Sequence, residues 1–322
     1  MKAPTIIGGR APRQYTAVRL YVDEIKPYRN ALNERWMYIG LLAIPDADFD
    51  QMQSWLRQDR NAANYFGEVH FTKLRNASDA GAYNEKTVLA KYWTERVLWD
   101  HQKTFHFYLL GLNLDNLQPF AFGTGREQKR NIYNRFFRAS VAYVLKYFFG
   151  HGAIRVTHVF HDVSELEHDD LFNWHAIWRL DRAEPDITFV PHCIQFIDSN
   201  HHDEPNFPED SHLVQLCDVL LGALTQCLDA RNQKDGCCEI ARILLLLVKR
   251  LVDPARVRNP NSQYRYVRRI SMSFFPSQRL KLRELEDDWR RAQSGFYIRR
   301  RLLLEDQISG QLPLFEDALA LD

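Results

Sequence analysis

The chain has 322 residues, with 42 Lys and Arg against 41 Asp and Glu, a formal net charge of +1, and 45% hydrophobic residues. That length buries a full core, and the near-zero charge excludes a molecule that binds polyanions over its whole surface. The longest apolar run, residues 243–248, is too short to span a bilayer. The five cysteines (Cys193, Cys217, Cys227, Cys237, Cys238) are odd in number, form no CxxC and lack zinc-site spacing. With no apolar h-region in the opening MKAPTIIGGRAPRQ, a reduced cytoplasmic protein without membrane association is expected.

In chain order, residues 18–24 predict a first strand that ends in two acids, Asp23 and Glu24. Residues 36–44 predict a second strand, closed by Pro45, and 46–60 a helix behind an acidic first turn. The alternation in 68–74 predicts a third strand, 84–100 a helix, and 105–114 a fourth strand ending at Asp115. After Gly123-Thr124-Gly125 comes a strong amphipathic helix over 127–149, stopped by Gly150. A fifth strand, 154–160, leads into His161-Asp162, and a helix is expected over 166–180. A sixth strand, 192–197, ends at Asp198-Ser199, and beyond a polar loop a helix over 211–228 carries Gln215 and Asp218. The expected fold is α/β, a mixed sheet flanked by helices, over residues 1–230.

Residues 231–322 read as a basic helical appendage: a helix over 237–252, a connector, an extended stretch at 271–275, a charged helix over 278–305 and a tail. Between 242 and 301 there are sixteen Lys and Arg against five Asp and Glu, interleaved with Tyr264, Tyr266, Trp289, Phe296 and Tyr297. Arginines on phosphates with aromatics under bases would grip a single strand; the same pattern also describes a helical bracket with a solvated basic side.

Asp23, Asp162 and Asp198 end apolar strands, and Asp218 sits in an amphipathic helix. Each alone reads equally as strand-end or helix-cap chemistry. Gathered at one sheet edge, such acids repel one another, and a hard divalent cation, Mg²⁺ or Mn²⁺, would remove the conflict. Two such ions activate a water and stabilise the leaving oxygen of a phosphodiester.

The motifs Asp23-Glu24, Glu68-Val69-His70, His161-Asp162, Asp198-Ser199 and Gln215-Leu216-Cys217-Asp218-Val219-Leu220-Leu221-Gly222-Ala223 together resemble a bacterial and phage family, domain of unknown function 3800, whose fold is ribonuclease-H-like. The resemblance covers roughly residues 17–228, and its most specific part is the last motif. Two positions depart from it: Ile25-Lys26 replaces Ser-Gly, and Cys217 replaces Ala. The resemblance implies Asp23, Asp162 and Asp218 as metal-binding carboxylates, with Glu24 and Asp198 in support. Glu68 and Asp115 are substitutes, and His70, His161 and Gln215 are neighbours in the motifs. The implied activity is metal-dependent hydrolysis of nucleic acid. The alternative is an inactive nucleic-acid-binding or partner-docking protein on the same fold.

Other features leave two readings each. His158, His161, His192, His201 and His202 lie near the strand ends, as a proton shuttle or as loop residues, and His201-His202-Asp203 as a transition-metal pair or a loop. Gly123-Thr124-Gly125-Arg126 is a phosphate site at a helix start or a loop breaker. Gln311-Leu312-Pro313-Leu314-Phe315 resembles the peptide by which bacterial replication and repair proteins dock on the sliding clamp. Leu312, Leu314 and Phe315 would be the anchors and Gln311 the register, unless the tail docks on its own domain.

Overall fold

Strand β2 (Arg35–Pro45) is apolar without alternation and buried continuously from Trp36 to Ile44, so it needs cover on both faces and neighbours on both edges. The computed structural model describes residues 15–75, 84–99, 104–150, 152–163, 180–253, 269–279 and 296–308. It places β2 inside a seven-stranded mixed sheet ordered β5-β4-β1-β2-β3-β7, with β6 also on β4. The strands are β1 (Tyr15–Arg29), β2, β3 (His106–Asn113), β4 (Ala153–Asp162), β5 (Ile187–Phe189), β6 (Ile194–Ile197) and β7 (Ile270–Phe275). Strands β1, β2 and β3 run antiparallel in succession; β4 is parallel to β1, β5 and β6 to β4, and β7 to β3. The helices are α1 (Phe49–Ala63), α2 (Glu85–Trp99), α3 (Gly125–Phe149), α4 (Pro208–Asp229), α5 (Asp235–Leu251) and α6 (Leu303–Ile308).

The period of two along β1 sorts its side chains between two cores. Val18, Leu20 and Val22 join the core under α3, with Val141, Val144 and Leu145. Tyr21 joins the other core, under α4, with Phe160, Leu220 and Leu224. By length and composition α4 could cross a membrane, yet 94% of its apolar window is buried, so its apolarity serves this core.

Four expectations are corrected. Strand β1 does not end at Glu24: Glu24 and Ile25 still pair with Ile39 and Tyr38 of β2, and only the parallel pairing to β4 stops, at Val22 opposite His161. Residues 68–74 form no strand. The N–H of Val69 is taken by the Gln215 side chain and that of Phe71 by Asp218, and Phe71–Lys73 is a 3₁₀ turn. The sixth strand starts at Ile194, because His192 turns the chain at φ 58°, and Ile187–Phe189 forms a strand the sequence did not suggest. Within the expected 278–305 helix, residues 296–302 are not helical, since Tyr297 exchanges both backbone hydrogen bonds with Phe274, and helix begins only at Leu303.

Beyond residue 230 the chain is built into this sheet and its α4 layer. Strand β7 extends the edge beyond β3, and α5 packs on α4. Asp229, whose side chain is 0% exposed, accepts from Tyr28 Oη (2.5 Å), Tyr38 Oη (2.6 Å), Asn30 Nδ2 (3.2 Å) and Arg300 Nη2 (2.6 Å). The Arg300 guanidinium lies 3.9 Å from the centre of the Trp36 ring. The expected helix over 166–180 lies almost wholly outside the described residues, and the clamp-like peptide Gln311 to Phe315 lies entirely outside.

Candidate functional site

One residue past the last β1–β4 pair, Asp23 and Asp162 stand side by side on parallel strands. Alternation gives both the face of Tyr21 and Phe160, the α4 face. Helix α4 lays Ser211, Gln215, Asp218 and Gly222 along one stripe at helical spacing. Ser211 Oγ donates to the Asp198 carbonyl (2.6 Å). Gln215 ties two loops together: its Oε1 accepts from Arg60 Nη2 (2.8 Å) and Val69 N (3.0 Å), and its Nε2 donates to the Ser199 carbonyl.

Asp218 comes next on that stripe. Its Oδ2 accepts from Phe71 N (2.7 Å) and lies 3.1 Å from His70 Nδ1. Gly222 lets this turn approach: a Cβ there would stand 2.2 Å from Phe71 Cγ. The same loop brings in Glu68, which accepts from Ser199 Oγ (3.0 Å) and Lys73 Nζ (3.0 Å) and lies 3.4 Å from His70 Nε2. His70 thus stands between two carboxylates.

The electrostatics mark this edge as crowded with negative charge. Burial pushes the Asp23 carboxyl well above the usual carboxylate range, and the neighbouring Asp218, Glu24 and Asp162 push it further. Burial also raises Asp162, against the pull of His70 and of its bond from Ser199 N (3.2 Å). The hydrogen bond to Asp218 raises His70. Burial works to raise Glu68, but its bonds from Lys73 and Ser199 outweigh it and hold the carboxyl low. Side-chain exposures of 25% for Glu68 and 20% for Asp218 mean that the group lines an opening.

Glu24 falls on the opposite, α3 face, with His161 and Tyr133. Glu24 Oε2 lies 3.2 Å from His161 Nε2, which also meets Tyr133 Oη at 2.7 Å. The imidazole Nδ1 donates to the Asp162 carbonyl (2.8 Å), which fixes the ring. Burial works against charge on both partners, yet each holds the other ionised: Glu24 is lowered and His161 raised. This pair lies directly beneath Asp23 and Asp162.

Asp198 turns away from this group. Its Oδ1 accepts from Asn200 N (2.7 Å), an Asx turn that shapes the loop after β6. Asp115 lies at the far end of β3, bonded to Arg35 N (2.8 Å). It is six residues beyond Leu109, the residue in line with Asp23, so about 20 Å away along the strands. Tyr133 and Lys73 were not singled out from sequence; the one visible signal was Tyr133 interrupting the apolar stripe of α3.

The donors gathered here are carboxylate oxygens with one imidazole, a set that suits a hard divalent cation. The repulsion among Asp23, Asp162 and Asp218 is what such an ion would relieve. Among the described residues, no three or more His, Cys, Asp or Glu side chains are placed to share an ion as they stand. Asp23 Oδ1 is turned to the Glu24 N–H (2.8 Å), and Asp218 Oδ2 and Asp162 Oδ1 likewise accept backbone N–H groups. Comparison with family models, with curated proteins and with solved structures finds no match to this chain.

Proposed function

We propose that this chain is a ribonuclease-H-like, divalent-metal-dependent phosphodiesterase acting on nucleic acid, with Asp23, Asp162 and Asp218 as its central carboxylates. The observation that carries this reading is the placement of Asp23 and Asp162 side by side past the last β1–β4 pair, on the face covered by the α4 helix that carries Asp218. Mg²⁺ or Mn²⁺, held by Asp23, Asp162 and Asp218, would supply charge neutralisation and Lewis acidity at a phosphodiester. The chain's own groups have separable tasks. His70, between Asp218 and Glu68, would hold or pass a proton at the mouth of the site. The Glu24–His161 pair keeps the β4 end in place beneath Asp162. Gln215 and Gly222 seat the 66–74 loop on α4.

A second reading, a protein that binds nucleic acid without cutting it, is favoured by one observation: an oxygen of each of Asp23, Asp162 and Asp218 is already engaged by backbone N–H. The test is incubation of purified protein with labelled single- and double-stranded DNA, RNA and a DNA–RNA hybrid, with Mg²⁺ or Mn²⁺ and with chelator. Metal-dependent cutting that disappears in both Asp23→Asn and Asp218→Asn is the expected result. Cutting that survives both variants, or binding without cutting, defeats the phosphodiesterase reading.

A further inference from the structure

The 66–74 loop that carries Glu68 and His70 does not end at the carboxylates. It continues through Thr72 and Lys73 into a cleft of about 480 Å³. The cleft is lined by Lys73, Arg75, Lys86 and Lys234, with Glu85 the one acid among its lining residues, and by Tyr65. It is continuous with the site: Phe71 N sits on Asp218 at 2.7 Å, and two residues on, Lys73 Nζ sits on Glu68 at 3.0 Å. With Lys73 paired to Glu68, Arg75, Lys86 and Lys234 still face the single acid Glu85, a local asymmetry in a chain whose net charge is only +1.

The cations are held in place by the fold. Lys234 Nζ donates to the Thr72 carbonyl (2.5 Å), which pins the start of α5 to the site loop. Lys86, in the first turn of α2, lies 5.6 Å from the centre of the Tyr65 ring. Tyr65 Oη in turn donates to the Glu68 carbonyl (2.9 Å). The cleft is therefore flanked by the starts of α2 and α5. Phe66, next in the chain after Tyr65 of the cleft, is a large apolar residue left 50% exposed.

We infer that this cleft holds the phosphodiester backbone of a single nucleic-acid strand on one side of the carboxylates, with Phe66 as a stacking surface for a base. The inference rests on the proposed action on nucleic acid and assigns the path of that polymer. Cations for phosphates with an exposed aromatic for a base is the chemistry of single-strand binding. A cleft of this volume is on the scale of a small-ligand pocket, which admits a nucleotide unit of one strand and excludes a duplex.

The test is fluorescence anisotropy of the full chain with labelled DNA and RNA of about ten nucleotides, single-stranded and duplex, in chelator so that nothing is cut. The Arg75→Glu/Lys86→Glu variant should bind single strands at least about tenfold more weakly, and its log affinity against log salt should flatten by roughly 0.7 for each phosphate no longer neutralised. Phe66→Ala should weaken binding with the salt slope unchanged. Lys249→Glu is the control, at the other end of α5 and paired with Glu305; it should bind as the parent does. Melting curves establish that each variant is folded. Unchanged affinity in the cleft variant, an equal loss in Lys249→Glu, or duplex bound as tightly as single strand overturns the inference. Tight binding that needs the cleft, with no cutting when Mg²⁺ or Mn²⁺ is restored, leaves the inference standing and removes the phosphodiesterase reading. Cutting that ignores the cleft variants does the reverse.

Discussion

Asp23 and Asp162 are neighbours across a parallel pair, each one residue past the hydrogen-bonded partners Val22 and His161, and both face α4. That places like charges together where burial already penalises them. In chelator, Asp23→Asn should therefore be more stable than the parent, by on the order of 1–2 kcal/mol, because a neutral isostere removes the repulsion. Millimolar Mg²⁺ or Mn²⁺ should raise the melting temperature of the parent and leave that of Asp23→Asn nearly unchanged. Thermal melts with and without the ion check both statements; a destabilised variant would mean that the acid is held by favourable contacts.

Gly222 lies one helical turn beyond Asp218 and against the Phe71 ring. Gly222→Ala should gain helix propensity yet lose about 1–3 kcal/mol overall, because the added methyl displaces the turn that donates to Asp218. Adding Phe71→Ala should make the double variant better than the sum of the two single losses. Urea unfolding of the four proteins measures this directly.

Gln215 is 1% exposed and serves Arg60, Val69 and Ser199 at once. Gln215→Leu keeps the volume, strands the Val69 N–H and the Ser199 carbonyl, and takes from the buried Arg60 one of its acceptors. A loss of roughly 3 kcal/mol in chemical unfolding is expected. A loss below about 0.5 kcal/mol, the ordinary scatter of a surface change, would show that the loop does not depend on it.

Arg300→Ala should cost about 3–5 kcal/mol, since it leaves the Asp229 carboxylate buried without its cation. The Arg300→Ala/Asp229→Asn double variant should cost less than the two single changes summed, and the comparison is a double-mutant cycle in urea.

His212 has its imidazole pushed down to about 3 from 6.5, by burial and then by the Arg60 charge beside it. Its folded pKa lies below its unfolded one, so the unfolded chain binds the extra proton between those values. This group's contribution is whole above about 6.5 and is lost as pH falls toward about 3. His212→Gln keeps an acceptor for Arg60 and removes the proton site. Its stability should fall less steeply than the parent's between those pH values, by denaturant midpoints at stepped pH.

Much of the site was legible because strands announce where they stop being apolar. Asp23 and Asp162 close strand-like stretches rich in apolar and β-branched residues, and Asp218 sits at a fixed place in a helical stripe. The sheet's mixed α/β character showed in the order of strands and helices. The 68–74 segment was misread because its alternation is real but its backbone N–H groups are claimed by Gln215 and Asp218, a tertiary choice that no local pattern carries. The division of Glu24 from Asp23 across the sheet follows from alternation alone. The placing of Asp115 about 20 Å off needed the register. The basic cleft went unseen because its cations come from segments more than 150 residues apart, Lys73 to Lys234.

Strand β7 has a consequence for how the chain is made. Its partner β3 is complete at Asn113, but β7 ends at Phe275, so a ribosome needs roughly 10–30 s to supply the one after the other. Through that interval β3 offers a bare, largely apolar border, the kind on which nascent chains stick to one another. The α4 helix meanwhile carries Asp229 with its cation still 71 residues behind it. Synthesis therefore has a vulnerable stretch that closes only when Arg300 emerges.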